Sequence, residues 1–197
     1  MSRAWPVNNL DPEAPVGVGA RKVLAVRIAE LYSYEPAVTE PAWSHELHDM
    51  RIAAKRLRYT LELFAPQFGE AGAQQIDRVK QVQEALGVLH DRDVEIDLVG
   101  AELTAAMADE ADRVRAELAT ATPQEMTAIA TSAMRPPPDD VRRGLITLLS
   151  LAHADRKAAY DRFASLWRSL SDAGMRRDLV ALSIASRPER LEAESAA

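Results

Sequence analysis

Apolar residues return along this chain at helical spacing almost from end to end. From about Gly19 to Tyr34 the markers are Leu24, Ile28 and Leu31, one side of a helix. Pro36 and Pro41 bracket a connection, and a second helix is expected over about 42–65. It carries Leu47, Met50, Ala54, Leu57, Leu61 and Phe64 on one side. Pro66 should end it, because proline lacks a donor and disfavours helix in the residue before it. Gly69 and Gly72 mark a turn, and the next helix, about 73–99, turns Val79, Val82, Leu86 and Leu89 inward. Residues 101–121 repeat Leu103, Met107, Glu110, Val114 and Leu118, a helical stripe with one acid in it. A shorter helix at Gln124–Met134 precedes the stiff break Pro136, Pro137, Pro138. A long helix over 139–170 has its stripe at Leu145, Leu148, Leu149, Ala152, Ala159, Phe163, Leu166, Trp167 and Leu170. Gly174 separates a last helix, about Met175 to Ser186. No strand alternation and no short repeat interrupts this pattern. It predicts an all-α, antiparallel helical bundle of about six helices. Residues 1–17, rich in Pro, Asn and Asp, read as an irregular arm laid over the bundle through Trp5 and Leu10. Residues 18–187 read as a single helical domain and 188–197 as a frayed tail.

Composition narrows the class. With 197 residues the chain can bury one proper core, and 47% hydrophobic content with only 8 Gly favours packed helices. There is no Cys, hence neither disulfide nor thiolate metal site, which is compatible with a reducing cytoplasm. No apolar run reaches about 18 residues, so no membrane span or membrane partner is expected. The N-terminus lacks the apolar core of a secretory leader.

The formal net charge of −6 argues against general nucleic-acid binding, but the charge is uneven. Residues 51–58 hold four cations and no acid, whereas 102–117 hold Glu102, Asp109, Glu110, Asp112 and Glu117 against Arg113 and Arg115. His48, Arg51, Lys55 and Arg58 fall within a strip about 80° wide on the second helix, roughly opposite its apolar side. A straight row of cations suits a ligand with negative charges at regular intervals, and an acidic body repels polyanions elsewhere. The blander alternative is a solvated helix face, although the acidic i+4 partners usual on such a face are incomplete here. Lys80, Gln83, Gly87, His90 and Asp91 share a side of the following helix. Arg21, Lys22, Arg92, Arg156 and Lys157 are weaker candidates for the same chemistry.

HDMRIAAKRLRYTLELF, beginning at His48, resembles the signature helix of the CHAD family, all-helical domains named for their histidines. IDRVKQVQEALGVLHDRDVEI, Ile76 to Ile96, resembles that family's next long helix. The resemblance implies binding of inorganic polyphosphate, or a similar polyanion, without turnover. His48, Arg51, Lys55, Arg58, Lys80 and His90 would be the contacts, with divalent cations as possible bridges and no resident cofactor. Arg would offer forked donors to phosphate oxygens and Lys a point charge. It also suggests a cytoplasmic protein drawn to polyphosphate granules. The family's full domain has two similar bundles, each with a signature helix, and this chain shows one. The expectation is a half-length member that pairs with itself as a homodimer, the alternative a minimal monomer.

Other readings compete. His45 and His48, three apart, could reach one metal ion, but the chain has neither H-E-x-x-H nor a Glu-x-x-His pair. Asp91 and Asp93 could serve a metal-dependent phosphohydrolase; the simpler expectation is that they pair with Arg51 or Arg58. There is no Gly-rich phosphate loop and no nucleophile elbow, and the E-x-E-x-K motif of the triphosphate-cleaving domains sometimes fused to this family is missing. The chain is therefore expected not to be an enzyme. Tyr59 and Tyr160 are expected to pack between helices with a wet tip. A protein-interaction scaffold whose charges merely solubilise is the remaining alternative.

Overall fold

The computed structural model describes residues 3–135 and 137–184. The described residues form six α-helices and one short 3₁₀ helix, with no strand. The order is α1 (Val16–Tyr32), the 3₁₀ turn Glu35–Thr39, α2 (Ser44–Leu63), α3 (Ala65–Thr120), α4 (Pro123–Met134), α5 (Val141–Asp172) and α6 (Met175–Ile184). The fold is the expected all-α one. The expected stop at Ser186, the tail 188–197 and Pro136 lie outside the described residues.

Two boundaries differ from expectation, for local reasons. The turn placed at Gly69 and Gly72 is a kink at Gly69 alone, which takes φ 58° and ψ −150° inside an otherwise helical run from Ala65. That conformation is open to glycine and strained for other residues. Gly72 is helical and buried, and a Cβ there would lie 2.4 Å from the Phe68 Cβ. The stripes at 73–99 and 101–121 belong to one continuous helix, because Gly100 alone, costing about 1 kcal/mol, does not break it. Three other turns and termini follow local chemistry. Thr122 and Glu125 form a capping box at the start of α4, with Pro123 in its first turn. The Asp140 carboxylate accepts from the Arg142 backbone N–H at 2.9 Å to start α5. Gly174, at φ 80°, turns the chain into α6.

The chain divides into two compact units, with the divisions inside α3 and α5. The first holds residues up to Val88 and from Tyr160 onward; the second is Leu89–Ala159. In the first unit Leu24, Ile28 and Leu31 of α1, Leu47, Met50, Ala54, Leu57 and Leu61 of α2, and Val79, Val82 and Leu86 of α3 are all buried. Phe163, Trp167, Met175 and Leu179 are buried with them, and the Trp167 ring lies 5.4 Å from that of Tyr32. Burial, with Glu35 adding to it, pushes the Tyr32 phenol far above its ordinary range. Arg78 donates to Asp178 at 2.9 Å, tying α3 to α6 and holding the Asp178 carboxyl below its usual range. The Tyr160 hydroxyl donates to the Val38 carbonyl at 2.7 Å. Glu30 of α1 is fully buried, with one carboxylate oxygen on Arg27 and the other on Arg56 of α2. Trp5 and Leu10, expected to cover the bundle, are both exposed. The arm is held by its backbone instead: Arg27 donates to the Trp5 carbonyl and Lys22 to that of Asn9.

The second unit is thinner. Its ionic groups are paired within and between helices: Arg113 with Glu110 and Glu117 along α3, Arg142 with Asp140 and with Glu110 of α3, and Arg156 of α5 with Asp93 of α3. Arg142 holds the Asp140 carboxyl down to about 2, and Arg113 lowers that of Glu110.

Candidate functional site

The amphipathic division of α2 decides what each side can do. Its apolar side is buried, and His48, Arg51, Lys55 and Arg58 are half-buried along the helix. Their aliphatic stems cover apolar surface while the heads reach outward. Among the described residues, neither Arg51 nor Lys55 has a carboxylate within ion-pair distance. The Nε–H groups of Arg51 and Arg58 are buried and donate to nothing. Glu62 comes within 3.4 Å of the Arg58 Nε without making a hydrogen bond. Such donors cost free energy while unmet. Next to the row, Tyr59 is exposed, with the Arg58 guanidinium 4.9 Å and the Lys55 ammonium 5.6 Å from its ring centre. It is thus a cation–π partner that steadies two members of the row, where interhelical packing was expected.

The other candidates sit differently. In the first unit Arg21 donates to the Gly17 carbonyl at 2.8 Å, Lys22 is held by Asn9, and Lys80 is exposed, 3.9 Å from Glu84. His90, Arg92, Arg156 and Lys157 belong to the second unit. There Arg92 pairs with Glu95 and Arg156 with Asp93. His48, His90 and Lys157 each already have an interaction partner. Asp93, expected to pair with Arg51 or Arg58, has Arg156 of α5 on its carboxylate within the second unit. Among the described residues no three His, Asp or Glu side chains come together as metal ligands. The pairing of Arg56 with Glu30 went unforeseen, and its signal was Glu30, an acid within the apolar stripe of α1. Arg56, the fourth cation of 51–58, is thereby withdrawn from the row.

Residues 3–100 match the family model of the CHAD domain. The chain belongs to the CHAD family through this segment. The CHAD segment takes in α1, α2 and α3 as far as Gly100, and with them the whole α2 row; Arg156 and Lys157 fall outside it. CHAD domains are associated with polyphosphate- and triphosphate-related proteins. No curated protein and no solved structure matches the chain. No helix among the described residues is long and apolar enough to cross a membrane.

Proposed function

We propose that this CHAD protein binds inorganic polyphosphate on the outer face of α2, without hydrolysing it. His48, Arg51, Lys55 and Arg58 are the principal contacts, with Lys80 of α3 as an auxiliary. The observation that carries the reading is a row of half-buried cations on one side of α2 in which Arg51 and Lys55 lack acidic partners. Phosphate oxygens at regular intervals along a polymer would meet the outward guanidinium and ammonium heads together. The association of the CHAD family with polyphosphate-related proteins supports the polymer over an isolated anion. The proposal extends to a homodimer, to Mg²⁺ or Ca²⁺ as bridging ions, and to a cytoplasmic place at polyphosphate granules.

Changing Arg51, Lys55 and Arg58 together to Ala tests it. Each half-buried charged contact is worth about 1 kcal/mol or more. The triple variant should therefore bind polyphosphate on the order of a hundredfold more weakly, with unchanged far-UV dichroism. Equal affinity of variant and wild type would remove the proposal. A phosphate-release assay on tripolyphosphate with Mg²⁺ separates it from the hydrolase reading, and steady release would favour the latter.

A further inference from the structure

The second unit leaves its apolar positions uncovered. Among the described residues, none from Gly100 through Leu151 is buried. Helix α5 shows why. Leu145, Leu149, Ala152 and Ala159 form a row that is half-buried or buried. Beside it runs a second row, Val141, Gly144, Leu148, Leu151, Asp155 and Ala158, and every one of these is exposed. Val141 is 65% exposed, Leu148 44% and Leu151 59%. The steps alternate between three and four residues, the spacing of a seam that packs against another helix. One neighbour covers half of this wide apolar face, and the other half waits for a second.

We propose that a second copy of this chain covers it, α5 against α5, antiparallel about a twofold axis between Leu148 and Leu151. This rests on the dimer part of the reading above and says where the two copies meet. In this register Leu148 lies opposite the partner's Leu151, and Val141 opposite the partner's Ala158. Gly144 falls opposite the partner's Asp155, which brings the exposed Arg143 beside that carboxylate, and the twofold makes this pair twice. The large and small residues thus alternate across the axis, and Gly144 and Ala158 allow close approach. The flank formed by Arg143, Thr147, Ser150 and Ala154 carries one charge, that of Arg143, and the seam itself carries one, that of Asp155. A second copy in this register sets each of these charges beside its opposite, so the face is complementary to itself. The seam from 141 to 158 is about 27 Å long at 1.5 Å per residue.

The test is the mass of the full chain in solution, by light scattering on a sizing column, at tens of micromolar and without polyanion. Wild type should run at twice 21.7 kDa. Leu148→Glu with Leu151→Glu should run at the single-chain mass with helicity retained. Ile146→Glu, exposed and about 160° away around α5, should stay dimeric. Asp155→Arg should dissociate the dimer, and Arg143→Asp added to it should restore it. A single-chain mass for wild type, dissociation by Ile146→Glu, or no rescue by the charge swap would overturn the interface. A monomeric wild type that still bound polyphosphate would sink this interface alone. A dimer that bound none would sink the ligand reading alone.

Discussion

Glu30 joins α1 to α2, the helix that carries the cation row, and replacing it with Ala should weaken the whole first unit. The carboxylate is fully buried and faces Arg27, itself buried, and Arg56, whose side chain is a quarter exposed. Removing one member of a buried ionic group costs about 3–5 kcal/mol, because the remaining charges lose the counter-charge that offset their burial. Two features pull toward the lower end. Water reaches Arg56, and Arg27 keeps the Trp5 carbonyl as an acceptor. About 3 kcal/mol is therefore expected, which for a chain of this size lowers Tm by roughly 6–12 °C. Thermal unfolding followed by far-UV dichroism measures it. Glu30→Gln, which keeps an acceptor and loses the charge, should fall between wild type and Glu30→Ala. A drop below about 2 °C for Glu30→Ala would show that the two arginines reach water without it, and the reasoning would fail.

Other outcomes follow from single residues. Gly69→Ala forces an L side chain into φ 58°, a strain of about 1–3 kcal/mol, and should lower Tm by several degrees; an unchanged Tm would mean that the kink relaxes into plain helix. The Asp140 carboxyl sits at about 2 in the folded chain, below the roughly 3.9 of an unfolded aspartate. A depressed value stabilises the fold above about pH 4, and that contribution is lost as pH falls toward 2. Hydrogen exchange at the amides of Arg142–Gly144 should thus be faster in Asp140→Asn than in wild type at pH 6, with the ratio approaching one near pH 2. The same ratio at both pH values would contradict the assignment to Arg142.

What was legible in the sequence depended on how local the determining interaction is. The α2 row and its buried opposite face follow from helical periodicity within twenty residues, and Leu47, Met50, Ala54, Leu57 and Leu61 are buried as that spacing required. The helix expected at Gln124–Met134 is there as well, starting one residue earlier at Pro123 behind the Thr122–Glu125 capping box. The partners of the charges were not. Arg56 lies 26 residues from Glu30, and Asp93 lies 63 from Arg156. Nothing in the spacing of one helix says which charge on another will reach it. Gly69 and Gly72 look alike in sequence, and only the backbone path shows that the first is the kink and the second is buried beneath Phe68. The open face of α5 was hidden for a related reason. Leu148 belongs to the same hydrophobic stripe as Leu145 and Leu149, and the pattern cannot tell which of them finds a neighbour in its own chain.

The central claim is that the α2 row meets a phosphate polymer, and calorimetry of the wild-type chain with polyphosphate at 50 and 200 mM salt tests it most directly. Three neutralised charges, treated by analogy with single-stranded nucleic acid, predict binding at the lower salt and a roughly twentyfold loss at the higher. No heat of binding at either salt, or an affinity that salt leaves unchanged, would contradict the account.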